Sequence, residues 1–199
     1  AAGSILLGPA FASGFYELAR RREQKLDTRW RHFFDVARGP AASSIVALTS
    51  MVFMLFALWV FLAWIIYLGT LGSLEPSAPA STGAFLQSVF TTASGWQMAI
   101  IGNAVGLVFA AMVLAISVVS FPMLIDRPVP LATAVHTSWR VARANPATIA
   151  AWGLIVVGLL VLGSIPAFVG LAVVLPVLGY ATWHLYTRAV VRQPPNRLQ

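Results

Sequence analysis

Three histidines, His32, His136 and His184, and six carboxylates, Glu17, Glu23, Asp27, Asp35, Glu75 and Asp126, are the groups on which this chain could build acid–base or metal chemistry. There is no cysteine, which excludes disulfides, thiolate metal sites and cysteine nucleophiles. The spacing of the remaining candidates forms no phosphate loop, nucleophile triad or metal-ligand motif. A haem or haem–copper centre draws several histidines from within membrane spans. Here His32 and His136 sit on basic segments between apolar runs, and His184 sits near the end of the last run. Paired axial ligation across spans is therefore out of reach. His184 alone has two readings, a ligand to a chlorophyll-type magnesium or partner group, and a headgroup-level residue beside Trp183 and Tyr186.

The carboxylates point the same way. Glu17 and Asp126 lie near the ends of apolar runs with arginines close by, Arg20 and Arg21 for the first and Arg127 for the second. A carboxylate inside a bilayer would be a functional candidate, whereas one paired with arginine at the boundary is structural. Asp35 has ion-pair spacing to Arg31 and Arg38, an arrangement that contributes little energy at a surface. Asn103 is the most polar side chain deep in its run, and the expected role is an interhelical hydrogen bond. Pro176, between Gly170 and Gly179, reads as a simple kink or a point of close packing, with a transporter-type helix break as the alternative.

The elements that must carry these residues follow from composition. With 59% hydrophobic and 10% charged residues, and a mean hydropathy of +0.82, the chain is too apolar for a soluble domain. The fold class is all-α, a polytopic transmembrane helical bundle. The apolar runs are continuous, not the short alternating strands of a membrane barrel. Five spans are expected: 1–18, 42–68, 96–121, 146–164 and 169–186. The second is longer than a bilayer requires, and Trp59, Trp64 and Tyr67 crowd its far end as interface aromatics. The connector GTLGSLEPSAPASTG reads as loop, with a short helix over 84–90 on the far membrane surface. GSIPAFVG turns the fourth span into the fifth. The apolar start, AAGSILLGPAFASG, reads as the inner part of a span with its upstream sequence missing.

Threaded this way, all 13 Lys and Arg residues fall on one side, and the other side keeps only Glu75. The positive-inside rule then places the basic segments and the C-terminus in the cytoplasm. The net charge of +7 is accordingly read as membrane-surface charge, facing anionic headgroups, and not as nucleic-acid binding.

The basic segments repeat. A shift of 105 positions lays Arg22, Leu26, Phe34, Val36, Ala37 and Arg38 onto Arg127, Leu131, Trp139, Val141, Ala142 and Arg143, and one inserted residue brings Pro40 onto Pro146. Each segment reads as an amphipathic surface helix, the first over 26–38 and the second within the stretch 121–146. The apolar faces are Leu26, Trp30, Phe34 and Ala37 in one, and Leu131, Val135, Trp139 and Ala142 in the other. Each closing proline suits the first position of the following span. Pro9, Leu18 and Arg21 echo Pro176, Leu185 and Arg188. The single membrane domain thus divides into the end of one unit (1–22), a second unit (23–127) and a third with a basic tail (128–199), which implies six spans in a parent protein. Residues expected to meet the membrane surface or a partner are Trp30, Phe34, Arg38, Trp139, Arg140, Arg143 and His184.

The blocks SVVSFPMLIDRPVPLATAVHTSWRVARANP, VVLPVLGYATWHLYTRAV and GPAFASGFYELARRRE resemble the integral membrane proteins grouped as domain of unknown function 2189. The resemblance implies a six-span bacterial inner-membrane protein and supplies no catalytic residues. Some members carry the label oxidase subunit I, which the histidine count above opposes. The expected function is non-catalytic, with no cofactor: an accessory or scaffold subunit packing against a larger respiratory or photosynthetic complex, in contact with other membrane-protein subunits and anionic lipid. A small transporter or lipid-handling protein is the alternative, favoured by a polar cavity reaching Asn103 or Pro176.

Overall fold

The longest apolar run forms helix without interruption, because in lipid a backbone N–H has no partner other than its own i−4 carbonyl. In the computed structural model, which describes residues 2–29, 33, 39–72, 81–166 and 168–190, all regular structure is helical. Eight helices follow in order: α1 (Ala2–Glu23), α2 (Ala42–Gly69), α3 (Thr82–Thr91), α4 (Ala93–Ser117), α5 (Ser120–Asp126), α6 (Leu131–Ala144), α7 (Pro146–Ser164) and α8 (Leu171–Ala189).

Among the described residues, three stretches are long and apolar enough to cross a membrane: α2, α4 continued by α5, and α7. At 1.5 Å per residue, the 28 residues of α2 extend about 42 Å, beyond a hydrocarbon core of about 30 Å. These are the expected second, third and fourth spans. The side chains of residues 2–12, most of the expected first span, lie outside the described set. In α8 the apolar first half gives way to Tyr180, Thr182, Trp183, His184, Tyr186 and Arg188, which lowers its mean hydropathy below that of the other three.

The helices fall into two compact units, residues 1–51 with 114–199, and residues 52–113. In the first unit α1 packs on α8 and α5, α5 on α6 and α8, and α7 on α6 and α8. Glycine makes the α1–α8 approach possible. A Cβ on Gly179 would stand 2.6 Å from the Phe15 Cβ, a backbone-anchored atom with no room to move. Trp183 and Tyr186 are fully buried in this core with Leu48 and Val119. Their i, i+3 spacing turns both rings inward, while His184 between them stays exposed.

Two boundaries depart from expectation. α1 runs on through Arg20, Arg21 and Arg22 to Glu23, its last-turn cations matching the negative end of the helix dipole. It then stops with Lys25 in the left-handed region at φ 56. Leu26 N–H donates to the Arg21 carbonyl at 2.9 Å and Lys25 N–H to that of Arg22 at 3.2 Å. That is a Schellman termination, with lysine where glycine is usual. Leu26 to Arg29 are therefore not helical, which corrects the expected start of the first surface helix. Trp30, Phe34 and Arg38, and the Asp35 ion pair, lie outside the described residues. Pro40 belongs to the turn before α2, not to the helix itself, whereas Pro146 is the first residue of α7 as expected.

The second departure is the α4–α5 break. The Ser138 hydroxyl of α6 accepts from Val119 N–H at 3.2 Å and donates to the Ala115 carbonyl at 2.7 Å. Val119 and Ala115 are an i, i−4 pair, so the hydroxyl stands where the helix's own hydrogen bond would be. A side chain inserted into the ladder is a recognised cause of such a break. Ser120 Oγ donates to the Ile116 carbonyl at 2.5 Å and satisfies the next acceptor.

In the second unit, Ser81 caps α3 by accepting from Ala84 N–H at 3.1 Å. Thr92 makes the corner into α4, accepting from Gly95 N–H at 3.0 Å and donating to the Ser88 carbonyl at 2.8 Å. Gly95 is required there, since a Cβ would lie 2.4 Å from the Ser88 and Val89 carbonyl oxygens. The rings of Trp64 and Tyr67 stand 5.6 Å apart, and that of Phe85 is 6.3 Å from Tyr67. The Asn103 amide donates to the Ala99 carbonyl of its own helix at 2.8 Å, so the expected interhelical bond is replaced by a local one.

Candidate functional site

The described ionisable groups of the first unit gather where α1, α5 and α8 end. α1 delivers Glu17 one turn before its arginines, so Arg20 and Arg21 reach it at i+3 and i+4. Arg20 grips the carboxylate with two parallel bonds, Nε to Oε2 at 2.9 Å and Nη2 to Oε1 at 2.8 Å. Arg21 Nε adds a third at 2.8 Å. Glu17 is only 4% exposed, and a buried carboxylate holds its charge at acceptable cost only when paired and hydrogen-bonded in this way. The pairing expected from sequence is present, with both arginines engaged.

α5 ends on Asp126 beside Arg127. The Tyr186 hydroxyl of α8 donates to Asp126 Oδ2 at 2.8 Å, while the Arg127 guanidinium stands 3.5 Å from the same oxygen. The shorter bond comes from tyrosine, a partner that sequence spacing does not reveal because it lies 60 residues away. His184, one residue into the next stripe of α8, turns its Nδ1 towards Glu23 of α1 at 3.8 Å.

α6 carries the remaining basic groups. Its buried stripe is Ala134, Ser138 and Ala142, flanked by partly buried Leu131, Val135 and Val141. Of the expected apolar face, Leu131 and Val135 are partly buried and Ala142 is buried, while Trp139 is 43% exposed. Small side chains at i, i+4 and i+8 let the α6 backbone approach the α4–α5 junction closely enough for Ser138 to enter the ladder. His136, Trp139, Arg140 and Arg143 are left on exposed positions, and α6 contains no carboxylate.

Two cavities open in this region. One, of about 820 Å³, lies among Val141, Asn145, Ile149, His184, Leu185 and Arg188. The other, of about 450 Å³, lies between the α1 arginines, the start of α2 and the Asp126–Val129 turn. Neither reaches Asn103 or Pro176. Among the described residues no three His, Cys, Asp or Glu side chains converge as a metal site.

Helices of this length and apolarity, with their charged groups collected at helix ends, define an integral membrane protein of the multi-helix class. Residues 1–126 match the family profile described as predicted integral membrane protein, domain of unknown function 2189 (DUF2189), and the chain belongs to that family. The matched stretch includes the GPAFASGFYELARRRE block and ends at the last residue of α5. No curated protein and no solved structure matches the chain.

Proposed function

We propose that this protein is a non-catalytic subunit of the bacterial inner membrane, a scaffold that packs against a larger respiratory or photosynthetic complex. The observation that carries the reading is the mounting of α6. A helix that merely floats in the headgroup layer needs only an apolar face. α6 is instead fixed through a hydroxyl buried in another helix's backbone ladder. That fixing gives Trp139, Arg140 and Arg143 defined positions, which suits recognition of a partner more than general adhesion to lipid. The occupant argued for is a membrane subunit presenting carboxylates at the same boundary, complementary to a helix with two arginines and no acid.

The reading includes five spans in this chain as parts of a repeated six-span plan, with α6 and the C-terminus in the cytoplasm, as the one-sided arginines support. Because the chain has no cysteine, single cysteines introduced at Arg143 and at Gly83 report topology directly. A membrane-impermeant maleimide on intact spheroplasts should label the second and spare the first, and the reverse pattern refutes the orientation. Purification from native membranes in mild detergent should return other subunits in fixed ratio. Recovery of this protein alone, at full yield, refutes the scaffold reading.

The lipid-handling alternative draws on the two cavities at the boundary. Neither extends to mid-helix polar residues, so a translocation path has less support than a binding role.

A further inference from the structure

The cavity of about 450 Å³ between α1, the start of α2 and the α5–α6 turn has a lining of two kinds. One wall is cationic, made of Arg20, Arg21 and Arg127. The cavity's apolar lining is Leu124, Ile125 and Val129, on the same turn as Arg127. Among the described lining residues, three guanidinium groups stand with two carboxylates, Glu17 and Asp126, a balance of one positive charge. The charges are not equally spent. Glu17 takes three short bonds from Arg20 and Arg21. Arg127 makes one long contact, 3.5 Å from an Asp126 oxygen that Tyr186 already holds at 2.8 Å. Most of the Arg127 fork therefore points to no protein acceptor among the described residues, although its side chain is only 30% exposed.

A half-buried guanidinium with unspent donors is matched by an anion offering two oxygens, and phosphate suits the planar fork better than any neutral group. The Gly39–Ala41 turn and Ser44 also line the space. The positive end of the α2 dipole is thereby added to the arginine charge. The volume far exceeds that of a bare anion, since a water molecule occupies about 30 Å³. The apolar lining residues Leu124, Ile125 and Val129 suit the glycerol and first methylenes beside a phosphodiester. We infer that this cavity binds a phosphate group through Arg127, with Arg20 and Arg21 supplying the field, and that its source is an anionic phospholipid headgroup. This site stands apart from the scaffold reading and does not require a partner subunit.

The test uses the full chain purified in mild detergent, with phosphatidylglycerol, phosphatidylcholine or inorganic phosphate added and retention read by native mass spectrometry. Phosphatidylglycerol adducts should persist on the unaltered protein and exceed those of phosphatidylcholine. Arg127→Gln should weaken them about tenfold, the effect of losing one charge-assisted hydrogen bond. Arg29→Gln, which removes an equal charge outside the cavity, should leave them unchanged. Circular dichroism and the thermal midpoint of Arg127→Gln guard against a folding artefact: both should match those of the unaltered protein. Binding of inorganic phosphate that depends on Arg127, without lipid retention, keeps the phosphate site and overturns the lipid source. Equal losses in Arg127→Gln and Arg29→Gln, or no loss in either, overturn the site.

Discussion

The Tyr186 hydroxyl donates to Asp126 Oδ2 at 2.8 Å, joining α8 to the end of α5 across 60 residues of sequence. Tyr186 is fully buried, so its hydroxyl has no water to turn to. Asp126 in turn stands 3.5 Å from Arg127. One bond thus couples the packing of the core to the charged boundary.

Tyr186→Phe keeps the ring and removes the donor. A hydrogen bond to a charged group contributes roughly 1.5–3 kcal/mol, and the variant should be destabilised by about that amount. Denaturation in detergent, followed by loss of the near-ultraviolet circular dichroism, measures it. Stability equal to the unaltered protein would mean that the Asp126 contact is incidental.

Ser138→Ala makes a sharper case. The hydroxyl satisfies two buried backbone groups, the Val119 N–H and the Ala115 carbonyl. Leaving a buried polar group unpaired costs about 1–3 kcal/mol. The variant either loses stability of that order or closes the ladder and straightens α4 into α5. Thr137→Ala, one residue away with its hydroxyl bonded within its own helix, should change stability by less than about 0.5 kcal/mol. The difference between the two, measured in one denaturation series, isolates the bridge.

Lys25→Gly should stabilise the protein. Lysine in the left-handed region costs about 1–2 kcal/mol, which glycine avoids. Part of that gain is lost to glycine's greater freedom in the unfolded chain, leaving about 0.5–1 kcal/mol. A rise in thermal midpoint checks it. A fall would show that the Lys25 side chain holds a contact worth more than the strain.

What was legible in the sequence divides along physical lines. The spans expected at 42–68, 96–121 and 146–164 were readable because every lipid-facing turn has to be apolar, and that demand is local. The Glu17–Arg20–Arg21 cluster was readable because i+3 and i+4 spacing fixes it within one helix. The α4–α5 break was not, because its cause is Ser138, on another helix and masked as an ordinary polar residue. Nor was the end of α1, where Lys25 takes a conformation that only glycine would have announced. The burial of Trp183 and Tyr186 was hidden for a related reason. Trp and Tyr at a span end signal an interface only when they face outward, and on α8 the neighbouring α1 and α5 turn Trp183 and Tyr186 inward. On α6 the deciding residues were small ones, Ala134 and Ser138, whose value lies in how closely they let two backbones approach.

The central claim is that the exposed face of α6 docks on another membrane subunit. Site-specific photo-crosslinking in native membranes tests it most directly, with a photoreactive residue at Arg140 and, as a lipid-facing comparison, at Leu154 of α7, which is 74% exposed. A discrete protein adduct from position 140 and only lipid adducts from position 154 are the predicted result. Lipid adducts alone from both positions, with no protein partner captured at 140, would contradict the claim.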